Sequence, residues 1–113
     1  MIISHISDTH GKDFPLTGKY DIVVHSGDLL PDNNSRFKNR ELSTIDFQSQ
    51  WLHNKARKIK GELKSKPFLF INGNHDFVDG VNIEKILRAY DIDAYCLNDK
   101  IVEIDNFKFY ILL

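Results

Sequence analysis

The chain has 113 residues, of which 42% are hydrophobic, so it can bury the core of one globular domain. Its formal net charge of −1 gives no overall field that would attract nucleic acid or a membrane surface. A single cysteine excludes an internal disulfide, no apolar run reaches the ~20 residues of a membrane span and no secretion signal opens the chain, so we expect a cytoplasmic protein.

Three short apolar segments are predicted to form neighbouring parallel strands, at about residues 1–7, 21–26 and 68–72. A continuous apolar run bounded by a turn signal is typical of a strand buried on both faces. The histidines within these strands, His5 and His25, are expected to pack or to support the strand ends rather than to bind a ligand. The strands are followed in order by Asp8-Thr9-His10-Gly11, by Gly27-Asp28 and by Gly73-Asn74-His75-Asp76.

The remaining elements are predicted from composition and periodicity. Residues 29–40 are polar and are interpreted as a surface loop beside the strand ends. A helix is expected to follow, with Ser43 in its capping box and with Ile45 on the same apolar face as the later aliphatic residues. The C-terminal part is predicted to contain a helix at 82–90, a short strand within 91–97 and an antiparallel pair at 100–105 and 107–113.

The polar residues after the strands lie where open α/β sheets bind ligands, at the carboxyl edge. One such ending means little, because Asp, Asn and Gly are ordinary turn residues. Three such endings on neighbouring parallel strands favour a shared site. We therefore expect five side chains to converge: Asp8, His10, Asp28, Asn74 and His75. Gly73 is expected to permit a sharp turn and a close approach of another group.

Carboxylate, imidazole and amide groups are ligands for Mn, Fe, Zn or Mg. On an extended chain Asp8 and His10 would project from the same face and could chelate one ion. Asp28 has two oxygens and could bridge to a second ion, which Asn74 could bind. Two ions ~3.5–4 Å apart generate a hydroxide nucleophile and stabilise a phosphoryl group during in-line displacement. His75 could stabilise the transferring group or protonate the leaving oxygen.

Together the three motifs resemble the first three motifs of the calcineurin-like metallophosphoesterases, in their order and in their placement at strand ends. They span residues 1–76, and residues 46–52 resemble a compact subgroup of that family. The resemblance implies an α/β sandwich with mainly parallel strands flanked by helices. We expect residues 1–113 to form a single domain, the N-terminal part of such a sandwich, with a C-terminal antiparallel pair.

By this resemblance each site residue receives a role: Asp8 and His10 bind the first metal, Asp28 bridges, Asn74 binds the second metal, His75 is the catalytic histidine and Asp76 orients it. The implied cofactor is two divalent metal ions (Mn, Fe, Zn or Mg), with manganese favoured.

The chain departs from the family pattern after residue 76. Family members carry two further motifs, a lone histidine and a Gly-His-x-His pattern, which complete both metal shells, and no histidine follows residue 76 here. Three explanations stay open: a truncated reading frame, half of a split enzyme completed by another chain, or a reduced form with weak metal binding. An edge strand with unpaired backbone N–H and C=O groups tends to pair with another chain. We therefore expect a homo-oligomer or a partner chain that completes the sheet.

The leading hypothesis is a metal-dependent phosphoesterase that hydrolyses a phosphodiester or a nucleotide-type phosphate ester. The preference for this substrate depends on the small size of the chain and on the basic face of the first long helix, from Lys55 to Lys66. The alternative is a catalytically incomplete half-domain that acts as a binding or assembly module, or one part of a split enzyme. Nucleic acid enters only as a substrate, and no membrane partner is expected.

Overall fold

The computed structural model describes residues 1–32 and 44–112. In chain order its elements are β1 (Ile3–Ile6), β2 (Ile22–His25), α1 (Thr44–Leu63), β3 (Phe68–Phe70), α2 (Gly80–Ala89), β4 (Ala94–Cys96), β5 (Val102–Ile104) and β6 (Phe107–Phe109). Part of the predicted surface loop, residues 33–40, and the predicted cap Ser43 lie outside the described residues. No helix in the described ranges has the length and apolar character that a membrane crossing requires.

The first four strands form a parallel sheet in the order β1-β2-β3-β4. Each strand pairs with its neighbour in register, for example Val23 with Phe68 and Phe68 with Ala94. Since all four strands run the same way, their carboxyl ends share one edge of the sheet. β5 and β6 pair antiparallel in a separate two-stranded sheet. The α/β architecture with a C-terminal antiparallel pair, as predicted from the sequence, is confirmed.

Alternate residues along the strands divide the core between the two faces of the sheet. On one face Val23 and Phe68 join the larger core cluster, to which both helices contribute Leu52 and Leu87 among others. On the other face a smaller cluster includes Ile22, Leu69 and Val102. Both helices lie on the same face, as two successive right-handed crossovers in the same direction require. The hairpin of β5 and β6 covers part of the opposite face.

The connection from β1 to β2 contains no helix. Two aromatic side chains of this connection cover the helix-side core instead, since Phe14 is 8% exposed and Tyr20 is 7% exposed. The Phe14 ring stacks on Phe68 with 5.6 Å between centroids. The Tyr20 hydroxyl donates to the carbonyl oxygen of Glu62 at 3.1 Å, which joins the connection to the last turn of α1.

Two predictions about burial are wrong. Leu29 and Leu30, placed by composition in a polar surface loop, are 1% and 0% exposed, because the chain turns back into the core directly after the strand end. Ile45 is 53% exposed, since it lies in the first turn of α1 beyond the packed face. Gln48, one turn before Leu52, occupies the buried position instead.

Two helical glycines provide a matched test of how closely α2 packs on the sheet. A Cβ at Gly80 would lie 2.3 Å from Cys96 Sγ and 2.5 Å from Asn72 Oδ1, so Gly80→Ala forces atoms apart. We expect this substitution to lower the free energy of unfolding by about 1–3 kcal/mol. Gly61→Ala meets no neighbouring atom within 4 Å among the described residues. It should raise the free energy of unfolding by up to about 1 kcal/mol, because alanine is the better helix former.

Urea unfolding of both variants and of the wild type measures whether each substitution raises or lowers the free energy of unfolding. If Gly80→Ala is as stable as the wild type, α2 does not approach β4 as closely as described.

Candidate functional site

The segments that follow β1 and β2 run side by side beyond the strand ends. The backbone N–H of Asp8 donates to the carbonyl oxygen of Gly27, and that of His10 donates to the carbonyl oxygen of Asp28, both at 2.9 Å. The chain is not extended here, because the φ angles of Asp8, His10 and Asp28 are 56°, 46° and 58°. The extended geometry predicted for Asp8 and His10 is therefore wrong. Asp and His are among the side chains that tolerate this left-handed region.

Three of the predicted metal-binding side chains nevertheless converge. One ligand atom each of Asp8, His10 and Asp28 lies within 4.8 Å of the other two. Ligand atoms ~2.0–2.2 Å from one divalent ion lie at most ~4.4 Å apart, so a small closure would bring all three to bonding distance. Two carboxylates and one imidazole also suit the metals Mn, Fe, Zn and Mg. The residues therefore fit a divalent cation.

The Asp8 carboxylate is held in its charged form. The Ser7 hydroxyl donates to Oδ2 of Asp8, and this hydrogen bond is the main reason that the pKa of the Asp8 carboxyl lies below its ordinary value. His10 adds a favourable charge interaction in the same direction. At neutral pH the exposed Asp8 side chain is therefore an anion that faces the same point as Asp28.

The loops after β2 and β3 touch at two glycines. A Cβ at Gly73 would lie 2.1 Å from Asp28 Oδ1 and 2.4 Å from the Asp28 nitrogen. Gly27, with a φ of +121°, lies opposite, and a Cβ there would lie 3.0 Å from the Cα of Gly73. The close approach predicted at Gly73 is confirmed, and the group that approaches is Asp28. As a result, the backbone N–H of His75 donates to Asp28 Oδ1 at 2.9 Å.

Asp76 binds main-chain groups of both loops. Its carboxylate, in a residue only 9% exposed, accepts four backbone N–H groups, those of Asp28 (2.9 Å), Leu29 (3.3 Å), Leu30 (2.9 Å) and Gly73 (2.9 Å). Both carboxylate oxygens take part. Within the described residues, Asp76 makes no hydrogen bond to the His75 ring. Its predicted catalytic role stays a prediction, and its contacts are those of a clamp between two loops.

The carboxylate beside the His75 ring belongs to Asp32, which the sequence analysis missed. Asp32 Oδ1 lies 3.0 Å from Nδ1 of His75, and Oδ2 lies 3.9 Å from Nδ1 of His10. The His10 and His75 rings are edge to face with 5.5 Å between centroids. The His10 Nδ1 atom is buried and finds no hydrogen-bond partner among the described residues. Since a metal-bound imidazole usually donates its second N–H to a carboxylate, the position of Asp32 fits that part beside His10, and Asp32 also contacts the His75 ring directly.

The structure therefore brings together most of the predicted site residues. Asp8, His10, Asp28 and His75 meet at the carboxyl edge of the sheet. Asn74, the predicted ligand of a second ion, is exposed in the turn after β3 at the same edge.

The family model described as calcineurin-like phosphoesterase matches residues 1–111. The chain belongs to the calcineurin-like phosphoesterase family. A search of curated proteins finds no match. The resemblance indicated by the three motifs is confirmed, and family membership indicates metal-assisted hydrolysis of phosphoesters as the class of chemistry.

In this calcineurin-like phosphoesterase, His25 supports the two strand ends from inside the core. It is 0% exposed, and its Nδ1 accepts the N–H of Gly27 at 3.2 Å. The neutral ring therefore carries its proton on Nε2, which donates to Thr9 Oγ1 at 2.8 Å. Burial lowers the pKa of His25 to about 4. His5 likewise contacts the Ser26 hydroxyl, so both strand histidines play the supporting part predicted for them.

The pKa of His25 makes the stability of the domain depend on pH. Below about pH 6.5 the unfolded chain protonates this residue, whereas the folded chain does so only near pH 4. The contribution of neutral His25 is therefore complete above pH 6.5 and is lost as the pH falls from 6.5 to about 4. The loss from this residue amounts to about 3 kcal/mol.

Urea unfolding of the wild type and of His25→Gln, between about pH 7 and pH 4.5, measures this effect. The glutamine cannot be protonated, so its free energy of unfolding should fall less steeply than that of the wild type. Equal slopes for the two proteins would contradict a buried neutral His25.

Asp76→Asn tests the clamp. An amide offers one acceptor oxygen and places N–H donors against the loop amides, so we expect the free energy of unfolding to fall by about 2–3 kcal/mol. The matched control is Asp79→Asn, because Asp79 caps α2 by accepting the N–H of Asn82. Asn caps helices as well as Asp does, and the control should stay within about 0.5 kcal/mol of the wild type. Similar stabilities of the two variants in urea would exclude the clamp.

Proposed function

We propose that this chain hydrolyses a phosphodiester or a nucleotide-type phosphate ester at a dinuclear metal site. The observation that carries the proposal is the convergence of Asp8, His10 and Asp28 to within 4.8 Å, with the His75 ring next to His10. Phosphoester hydrolysis needs cation ligands and a proton donor at one place, and these residues supply both kinds of group.

The proposed ligand roles are those that the family resemblance implies, and the convergence of Asp8, His10 and Asp28 supports them. Asp8 and His10 would hold the first ion, Asp28 would bridge with its two oxygens, and the exposed amide of Asn74 would hold the second. When bound, divalent ions, with manganese favoured, supply the Lewis acid that polarises the phosphoryl oxygens and acidifies water. Asp28 is only 8% exposed, so its charge acts with little screening by solvent.

His75 would donate the proton to the leaving oxygen. Its Nδ1 is engaged by Asp32 at 3.0 Å, so Nε2 is the nitrogen that would face the substrate. The Asp32 carboxylate would hold the plane of the ring through this contact. Asp32 is therefore proposed as a positioning residue, in the part that the sequence assigned to Asp76.

The substrate preference is supported by basic side chains next to the site. A small cleft begins at Gly11, the residue after His10, and is lined by Lys12, Lys55, Lys58 and Trp51, and also by the carboxylates of Asp13 and Glu62. Three cationic side chains against two anionic ones leave a small excess of positive charge. Lys58 also pairs with Asp13. Positive charge and an aromatic side chain beside a phosphoryl site suit a substrate that carries a second phosphate or a base.

Hydrolysis of bis(4-nitrophenyl) phosphate by the purified chain, with Mn²⁺ or with chelator, tests the proposal. We expect metal-dependent turnover that Asp28→Asn abolishes together with Mn²⁺ binding. His75→Asn should keep Mn²⁺ binding and lower kcat by about 10²- to 10⁴-fold, the usual contribution of a general acid. The matched control is Asp21→Asn, which changes a carboxylate at the opposite end of β2 and should leave kcat unchanged.

A folded chain that binds Mn²⁺ without turnover would contradict hydrolysis and would favour the alternative, a binding or assembly module or one part of a split enzyme. A homo-oligomer or partner chain stays a prediction, supported by the exposed apolar side chains Ile101, Phe107 and Tyr110 around the hairpin. The single domain of residues 1–113 and the cytoplasmic location also stay predictions.

A further inference from the structure

We propose that Gln48 is a positioning residue that sets the place of His75 relative to Asp32. The inference rests on the proposed function, because its consequence is a change in turnover. Gln48 lies on the inward face of α1 and is 0% exposed. It is the one polar side chain among the buried residues of that helix within the part of the chain that the structure describes.

The side-chain amide of Gln48 hydrogen-bonds to main-chain groups of two different loops. Nε2 donates to the carbonyl oxygen of Pro31 at 3.0 Å and to that of His75 at 2.8 Å. Oε1 accepts the N–H of Phe77 at 2.8 Å. A glutamine amide has two N–H donors and one acceptor oxygen, so both donors and the oxygen are in use. A buried amide with all these bonds is held in one orientation.

These contacts lie on both sides of the His75–Asp32 pair. Pro31 directly precedes Asp32, whose carboxylate lies 3.0 Å from the His75 ring. The carbonyl of His75 and the N–H of Phe77 belong to the segment that carries the ring. One amide therefore fixes the main chain next to both members of the pair. Gln48 itself is held in place by α1, a helix of 20 residues that packs on the sheet.

The side chain at position 48 differs in polarity from the other inward residues of α1. The other inward positions of α1 are apolar, namely Leu52, Ala56, Ile59 and Leu63. An apolar residue at position 48 would bury more favourably, but it would leave two carbonyl oxygens and one N–H without their present partner. The three hydrogen bonds go to the loops of the candidate site and not to the sheet. Catalytic groups must be held within about 0.5 Å of their productive positions. The three hydrogen bonds of Gln48 would restrict the main chain beside His75 and Asp32 in this way.

The test compares Gln48→Met with Leu52→Ala. Methionine has a similar length and no amide, so it removes all three hydrogen bonds. Leu52→Ala opens a cavity one turn later on the same face and lowers stability without removing a hydrogen bond to either loop. We expect Gln48→Met to lower kcat for bis(4-nitrophenyl) phosphate by about 10- to 100-fold, with KM and the Kd for Mn²⁺ within about threefold of the wild type. Leu52→Ala should keep kcat at temperatures where it is folded.

A second readout needs no turnover. The ¹H–¹⁵N signal of the His75 ring reports whether Nδ1–H is held by Asp32, and it should shift or broaden in Gln48→Met and stay in Leu52→Ala. If the ring signal responds but no variant or wild type hydrolyses the diester, the proposed function fails and the positioning role stands. If Gln48→Met matches Leu52→Ala in both readouts, the positioning role is overturned.

If Gln48→Met does not fold, the same measurements are made on Gln48→Glu. The glutamate keeps an acceptor for Phe77 N–H but places a carboxylate against the carbonyls of Pro31 and His75, so it should show the same loss of kcat. Failure of both variants to fold would assign Gln48 a structural role and overturn the inference.

Discussion

Four backbone N–H groups meet at the carboxylate of Asp76, three from the loop after β2 and one from Gly73 after β3. A buried N–H group without an acceptor lowers the free energy of unfolding by about 1–3 kcal/mol. The Asp76 side chain alone provides an acceptor for such groups in the loops after both strands. With the loops clamped, Gly73 lies against Asp28, and the N–H of His75 reaches the Asp28 carboxylate. The position of His75 relative to Asp28 thus depends on a residue that need not touch a substrate.

The main elements of the fold could be predicted from the sequence because apolar runs and their turn residues are local signals. The runs at 21–26 and 68–72 became β2 and β3, and the helical periodicity located α1. Periodicity failed where burial depends on hydrogen bonds. Helical spacing places Gln48 on the face of Leu52 and Gln50 on the opposite face, but a polar side chain carries no sequence signal that it will be buried. Only the tertiary position of the loops supplies partners for Gln48.

The chemical groups of the site could be predicted, whereas their geometry could not. The carboxylates and histidines that follow the three strands could be predicted to form the site, since parallel strands end at a common edge. Their convergence, however, comes through left-handed backbone at Asp8 and His10, where the sequence analysis assumed an extended chain. Asp32 escaped notice because it follows Pro31 in a stretch of polar composition. Its contact with His75 arises from closure between two loops, which is a long-range event.

The left-handed backbone at three neighbouring positions also restricts which amino acids the site can accept. For a side chain with a Cβ this conformation costs about 1–2 kcal/mol, and Asn and Asp bear it more easily than most residues. At Asp8 and Asp28 an alanine would combine backbone strain with the loss of the carboxylate, so its effect could not be read as chemistry alone. Asparagine keeps the backbone preference while it removes the charge and one acceptor oxygen. The set of residues compatible with this edge is therefore narrow on conformational grounds, before any ligand is considered.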